Sequence, residues 1–293
     1  MPRHVRFAQV DVFTDVPWLG NPLAVIFDAD ALTDDAMRTI ARWTNLSETS
    51  FVCAPTDPAA DYRVRIFTPG GELPFAGHPT LGTAHAVREA GLNPRLPGQL
   101  IQQCGAGFIT LREFDGGRAF AAPPARITPL AAHAHAALTA ALRTDAIDFG
   151  APPCGVDNGA PWLVVRLKTA ADCLALAPDA AALADIAASV GADGLAVYAP
   201  HPAGGPATFE VRCLMMASGD GAGLVEDPVT GSANAAIAGL LGQDAGGRAS
   251  PYTVRQGTAI GRAGQVSVDY DETGKIWIGG ATVTVVQGTF LLP

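Results

Sequence analysis

Short segments in which apolar and polar residues alternate run along most of the chain. They are rich in valine, isoleucine, phenylalanine and threonine, and a hydrophobic period of two is typical of half-buried antiparallel strands. These segments lie at 6–13, 23–27, 62–67, 107–114, 162–167, 195–198, 208–214, 265–270 and 275–286, with glycine-containing hairpin turns predicted at 115–117 and 271–274. Helical signals are fewer: 33–43 opens with a threonine followed by acidic residues, and 179–190 is an alanine-rich run closed by glycine. Because helices do not separate the strands regularly, the pattern predicts a mixed α+β fold rather than a doubly wound parallel sheet.

The sequence also contains an internal repeat. His78–Ala84 and Asp227–Ala233 share the pattern X-Pro-x-x-Gly-[Thr/Ser]-Ala and lie about half a chain length apart. Each follows a strand-like segment with a Val-Arg pair, Val64-Arg65 in the first half and Val211-Arg212 in the second. Because these segments follow one another in the same order in both halves, the sequence predicts two similar lobes, each with strands, a central helix and a closing hairpin. We place the N-terminal lobe at 1–127, completed by a strand near 281–292, and the C-terminal lobe at 128–293.

Both heptapeptides predict the start of a helix. Proline suits the first turn because its missing N–H would have no partner there, and His78 and Asp227 occupy the predicted cap positions. A helix start offers free N–H groups and a positive dipole end, which favour an anion. If the lobes face each other, both starts would converge on one cleft and suit a substrate with a carboxylate or a developing enolate oxygen. From the residues alone, capping and helix packing remain the alternative explanation.

Gly82 and Gly231 fall early in the two predicted helices. A glycine in a helix costs about 1 kcal/mol relative to alanine, so its presence indicates that another group approaches the helix closely.

Composition and charge limit the kinds of partner that this protein is expected to bind. The 293 residues carry 19 lysine and arginine against 28 aspartate and glutamate residues, a formal net charge of −9. This charge repels phosphate backbones and anionic lipid, so we expect neither a nucleic acid nor a membrane as partner. No uncharged apolar run reaches the roughly 18 residues that a membrane span needs, and none near the start has signal-peptide length.

Cysteine usage and the absence of cofactor motifs argue against a bound metal or cofactor. The five cysteines are scattered and include no Cys-x-x-Cys pair, which disfavours a zinc site or a dithiol redox site and suits the reducing cytoplasm. The sequence has no phosphate-binding loop, no dinucleotide fingerprint and no serine-hydrolase elbow. We therefore expect a cytoplasmic protein with no cofactor and no metal.

Four stretches of the sequence resemble a known family. They are Gly20–Val25, Asn45–Phe51, Phe67–Thr80 and Glu226–Ala233. At these residues the chain is similar to the PhzF-like proteins, named for an isomerase of phenazine biosynthesis, within the diaminopimelate epimerase fold. The resemblance spans almost the whole chain. It implies two pseudo-twofold-related lobes, each with mostly antiparallel strands around a central helix, cofactor-independent proton transfer in the cleft between them, and a homodimer.

The resemblance also assigns residues. Glu48 matches the family's general acid/base, His78 and Asp227 match its partners in the cleft, and Ser232 matches a hydroxyl beside the substrate. The predicted catalytic residues are thus Glu48, His78 and Asp227, and the predicted substrate-binding residues are Gly77, Thr80, Gly231 and Ser232. Without the resemblance, Glu48 would be an ordinary acidic residue at the start of a strand.

The expected activity is an isomerisation of a small carboxylate-bearing metabolite. Related epimerases and proline racemases use two facing thiols, and neither helix start here contains cysteine, so a single carboxylic acid that moves a proton along one face fits better. The second half has Arg212-Cys213-Leu214 where the family usually shows Arg-x-Phe-x-Pro, so a phenazine-pathway substrate is not implied. A non-thiol epimerase or racemase and a non-catalytic binding protein on the same scaffold remain the alternatives.

Overall fold

The computed structural model describes residues 2–216, 223–244 and 249–292. The chain forms two compact units, which we call unit 1 (Met1–Ala121 with Gly279–Pro293) and unit 2 (Ala122–Ile278). Among the residues described, no helix is both long and apolar enough to cross a bilayer.

Residues 2–121, the described N-terminal part of unit 1, supply eight strands and two helices. They are β1 (Arg3–Val12), β2 (Asn21–Ile26), α1 (Asp34–Thr44), β3 (Thr49–Cys53), β4 (Tyr62–Phe67), β5 (Glu72–Leu73), α2 (Gly77–Glu89), β6 (Gln99–Cys104), β7 (Gly107–Phe114) and β8 (Gly117–Ala121).

Unit 2 continues with the same kinds of element, and the last strand returns to unit 1. The elements are β9 (Arg126–Pro129), α3 (His135–Leu142), β10 (Cys154–Asp157), β11 (Pro161–Arg166), α4 (Ala170–Ala175), α5 (Ala180–Ser189), β12 (Gly194–Pro200), β13 (Phe209–Met216), β14 (Leu224–Asp227), α6 (Gly231–Asp244), β15 (Tyr252–Gln256), β16 (Gly264–Tyr270), β17 (Ile276–Gly280) and β18 (Thr282–Leu292).

The strands of unit 1 surround a buried helix. β1 pairs antiparallel with β18 and β2, β2 runs parallel to β3, β3 pairs antiparallel with β4, and β4 runs parallel to β6. β6, β7 and β8 follow as an antiparallel meander, and the short β5 pairs with β4. α2 packs against β1, β2, β3, β6, β8 and β18, and most of its residues are buried on all sides. A helix buried all round carries small and apolar residues on every face, which explains its weak amphipathic pattern.

Unit 2 repeats this strand order. β10 pairs antiparallel with β9 and β11, β11 runs parallel to β12, β12 pairs antiparallel with β13, and β13 runs parallel to β15. The short β14 pairs with β13 as β5 does with β4, and β16 pairs antiparallel with β15. The predicted α+β class and the internal repeat are therefore confirmed at the level of strand order and direction.

The Val-Arg pairs of the repeat have the same role in both units. Arg65 on β4 binds Glu72 on β5, with its Nε 2.8 Å from Oε1. Arg212 on β13 binds Glu226 on β14, with its Nη2 2.8 Å from Oε2. Each arginine thus holds the short strand that leads toward the central helix.

Local signals explain the helices that the sequence predicts. Thr33 caps α1, its Oγ1 accepting from the Ala36 N–H at 3.2 Å, and Asp179 caps α5 in the same way. α3 carries no such side-chain cap, and the sequence pattern missed it. The segment predicted as one strand at 275–286 is two strands, because the chain breaks at Ala281, whose carbonyl accepts from the Thr14 N–H.

The two predicted helix caps are wrong in detail. α2 begins at Gly77, so His78 lies inside its first turn and Ala76 is the cap residue. α6 begins only at Gly231, and Asp227 is the last residue of β14. The reason is a competing partner: the Thr230 N–H donates to Gln256 Oε1, and the Thr230 hydroxyl donates to the Asp227 carboxylate.

Candidate active site

Glu48 and His78 lie side by side in unit 1. Glu48 directly precedes β3, after Asn45 ends α1 in a left-handed conformation and turns the chain back toward the sheet. His78 is the second residue of α2. His78 Nε2 is 3.4 Å from Glu48 Oε2, and the two side chains are only 6% and 16% exposed. The structure therefore brings together the predicted acid/base and one of its two predicted partners.

Burial keeps the His78 imidazole neutral. Its pKa is lowered to about 3 because the charged ring would lose its hydration. At neutral pH, His78 can accordingly serve as a hydrogen-bond partner of Glu48 but not as a cation.

Asn21 is a further residue of this site, and the sequence analysis missed its role. Asn21 is the first residue of β2, it is fully buried, and its Nδ2 is 3.4 Å from His78 Nδ1. Its only signal in the sequence is its place in the Gly20–Val25 stretch, where the pattern gives it no partner. His78 thus lies between the Asn21 amide and the Glu48 carboxyl group.

Two predicted substrate-binding residues also lie on α2. Gly77 is the buried first residue of the helix. Thr80 is fully buried, and its hydroxyl accepts a hydrogen bond from Gln102 Nε2 at 2.9 Å. Gln102 Oε1 in turn accepts from the Tyr62 hydroxyl at 3.0 Å. The contact of Thr80 with substrate stays a prediction.

The remaining predicted residues lie together at the start of α6 in unit 2. Asp227 is half-buried, accepts from the Thr230 hydroxyl, and has its carbonyl 3.2 Å from Gln256 Nε2. Gln256 is fully buried on β15 and also donates to the Thr230 hydroxyl at 2.8 Å. Each unit therefore has a buried glutamine that binds a threonine at the start of its central helix, although the repeat aligns Thr80 with Val229 and the two threonines are not equivalent positions.

Gly231 and Ser232 open α6 itself. Gly231 is buried and Ser232 is half-buried. Ser232 Oγ accepts from the Trp162 indole N–H at 3.1 Å, and the Ser232 carbonyl accepts from Asn158 Nδ2 at 2.9 Å. Trp162 and Asn158 come from the β10–β11 hairpin and position this serine, which the sequence pattern did not indicate.

The cysteines of the described part of the chain are all free thiols. Cys213 lies opposite Asp227 in the β13–β14 ladder and is fully buried, which raises the pKa of its thiol well above the usual range. A protonated thiol without access to solvent is a poor base. Within residues 2–216, 223–244 and 249–292, no group of three or more histidine, cysteine, aspartate or glutamate side chains is placed to hold a metal ion.

Comparisons with known proteins agree on one family. The model of the family described as phenazine biosynthesis-like protein matches residues 10–288. The chain is 37% identical over 263 residues to the trans-2,3-dihydro-3-hydroxyanthranilate isomerase of Pseudomonas aeruginosa, covering 88% of this chain and 87% of that protein. It is 36% identical over 298 residues to antisense-enhancing sequence 1 of Schizosaccharomyces pombe, covering 96% and 97%. The crystal structure of a Bacillus anthracis phenazine biosynthesis protein of the PhzF family is similar with a TM-score of 0.84 at 26% identity, covering 99% of this chain and 100% of that one.

Proposed function

The chain belongs to the phenazine biosynthesis-like protein family and is an isomerase, and from that premise we propose that it moves a proton within a small carboxylate-bearing metabolite, with Glu48 as the group that carries the proton. The observation that carries the proposal is the shielded contact between Glu48 and a neutral His78. A carboxylate in such a place is desolvated on one side and still partly open on the other. That combination suits a general base that must reach a C–H bond.

The proposed step is a proton transfer in two halves. The Glu48 carboxylate removes a proton from one carbon, and the electron pair left on the substrate delocalises into the adjoining unsaturated system. The carboxylic acid then returns the same proton to another carbon, so that a double bond shifts and no atom is gained or lost. General acid/base assistance of this kind is worth about 10²- to 10⁴-fold in rate.

Helix starts supply the anion-binding part of the proposal. The first N–H groups of a helix have no partner within the helix and lie at its positive end, so Gly77 and His78 can hold a substrate oxygen. Asp227, Gly231 and Ser232 at the start of α6 are proposed to bind or polarise the substrate as well. The cytoplasmic location and the homodimer expected from the sequence are parts of the same proposal.

The test is a turnover assay in deuterated water. The protein is incubated with trans-2,3-dihydro-3-hydroxyanthranilate, the compound in the name of the Pseudomonas aeruginosa relative, and with a panel of small unsaturated carboxylates, and products are identified by NMR. We expect a shifted double bond and, for Glu48→Gln, a kcat lower by about 10²- to 10⁴-fold with binding retained.

The matched control is Glu272→Gln, at an exposed turn between β16 and β17, which should keep wild-type turnover. Full turnover by Glu48→Gln would refute the role of Glu48. Inversion at one carbon with deuterium uptake would assign an epimerase instead, and binding without any proton exchange would assign a binding protein.

A further inference from the structure

We propose that Asn21 is a positioning residue that fixes the tautomer of His78, with the ring hydrogen on Nε2 facing Glu48. The inference deepens the function proposed above and rests on it for its catalytic meaning. The tautomer itself is a property of the resting protein. It follows from three groups in unit 1: the buried Asn21 on β2, the buried His78 on α2, and the half-buried Glu48 just before β3.

The argument starts from which atoms can donate. The Asn21 side-chain nitrogen carries two hydrogens and has no acceptor capacity, so at 3.4 Å from His78 Nδ1 it donates to that nitrogen. A neutral imidazole carries one hydrogen, and an Nδ1 that accepts forces this hydrogen onto Nε2. Nε2 faces Glu48 Oε2 at 3.4 Å without forming a hydrogen bond to it, and a carboxylate oxygen opposite Nε2 favours a hydrogen on that nitrogen. The tautomer with its hydrogen on Nε2 lets Nδ1 accept from Asn21 and places a donor opposite the Glu48 carboxyl group.

Contacts of the preceding residue fix the backbone position of Asn21. The preceding Gly20 donates its N–H to Asp11 Oδ2 at 3.0 Å, and Asp11 is buried on β1. A Cβ at Gly20 would lie 2.2 Å from the Val12 carbonyl oxygen, so only glycine fits where the chain enters β2. The Gly20-Asn21 pair therefore places the amide on the strand that packs against α2. This gives a physical reason for a motif that the sequence analysis noted without a role.

The consequence concerns where a proton can go. When Glu48 removes a proton from substrate, His78 has no vacant nitrogen to receive it, because Nε2 already carries hydrogen and Nδ1 accepts from Asn21. The proton therefore stays on Glu48 until it returns to the substrate. Asn21 makes His78 a fixed donor and prevents it from acting as a relay to other groups.

The experiment reads the tautomer directly. Protein labelled with ¹⁵N-histidine is examined by long-range ¹H–¹⁵N NMR at neutral pH without substrate, and His78→Gln identifies the His78 signals by their loss. We expect a protonated Nε2 and an unprotonated Nδ1 in the wild type. In Asn21→Asp, the carboxylate accepts rather than donates, so the hydrogen moves to Nδ1 or both nitrogens become protonated.

The matched control is Gln102→Glu, which converts another fully buried amide of unit 1 to an acid without a partner on His78. It should leave the hydrogen on Nε2. A wild-type His78 protonated on Nδ1 would overturn the proposal even if neither Asn21→Asp nor Gln102→Glu folds. An unchanged tautomer in Asn21→Asp, or the same switch in Gln102→Glu, would also overturn it. The NMR readout needs no turnover. If Glu48 proves not to carry the proton, the measured tautomer of His78 therefore still tests this proposal separately.

Discussion

Single residues of this chain derive their chemistry from burial. His78 is 5% exposed, and this shielding converts a residue that titrates near neutral pH into a neutral donor. Gly82 shows the same dependence on surroundings: a Cβ there would lie 2.6 Å from Leu23 Cδ2 and 2.9 Å from Val12 Cγ2. The close approach that the glycine predicts is thus confirmed, and the approaching groups are side chains of β1 and β2.

Acid should lower the free energy of unfolding through the protonation of His78 in the unfolded chain. Its pKa is about 3 in the folded protein and about 6.5 when unfolded, so the unfolded chain takes up the proton first. The contribution is complete above the unfolded value and is lost as the pH falls toward the folded one. We expect the free energy of unfolding of wild type, relative to His78→Gln, to fall by about 1.4 kcal/mol per pH unit in this window.

The measurement is urea unfolding of both proteins from pH 7.5 to 4. Because both share the same carboxylates, their difference isolates the histidine. A difference that stays constant between pH 7 and pH 4.5 would show that His78 is not buried as described.

At the scale of elements, each unit has an arginine at the corresponding point of the repeat, but the two arginines differ in how deeply they are buried. Arg65 and Glu72 form a partly exposed pair, with Glu72 39% exposed. Arg212 and Glu226 are 10% and 7% exposed, and Arg212 also donates to the carbonyls of Cys173 and Leu176 near the end of α4. An exposed ion pair contributes little to stability, whereas removing one partner of a buried pair leaves an uncompensated charge.

Arg212→Gln and Arg65→Gln should therefore differ sharply. We expect Arg212→Gln to lower the free energy of unfolding by about 3–5 kcal/mol, because Glu226 loses its partner in a buried setting. The matched variant Arg65→Gln, at the corresponding place in unit 1, should cost about 1 kcal/mol or less. Chemical unfolding of both variants checks this, and equal losses would contradict the difference in burial.

At the scale of the whole molecule, the chain completes unit 1 only with its last strand. β18 pairs with β1 along the full length of β1, from Arg3 opposite Leu292 to Val12 opposite Thr282. Phe290 packs near Phe7 on β1, with ring centroids 5.7 Å apart, and Leu292 is buried in the same core. Unit 1 is thus assembled from both ends of the sequence.

Deletion of residues 281–293 should destabilise unit 1 selectively. It removes the hydrogen-bonded neighbour of β1 and the apolar side chains that cover this core, so the amides of β1 should lose protection from hydrogen exchange. The internal control is β15, which pairs with β13 and β16 in unit 2 and should keep its protection. Unchanged exchange in β1 would contradict the pairing.

Sequence alone determined the α+β class, the internal repeat and the presence of two glycine-bearing helices, and the family resemblance singled out Glu48 and His78, whose catalytic roles stay predictions. These features are local: a period of two, a proline in a first turn and a motif can be recognised from neighbouring residues. Tertiary structure decided that Asn21 contacts His78. It also decided that α6 begins only at Gly231, because Thr230 binds Gln256, and that Glu226 is buried whereas Glu72 is partly exposed. Those outcomes depend on which distant segments pack together, because packing sets both the available hydrogen-bond partners and the local dielectric.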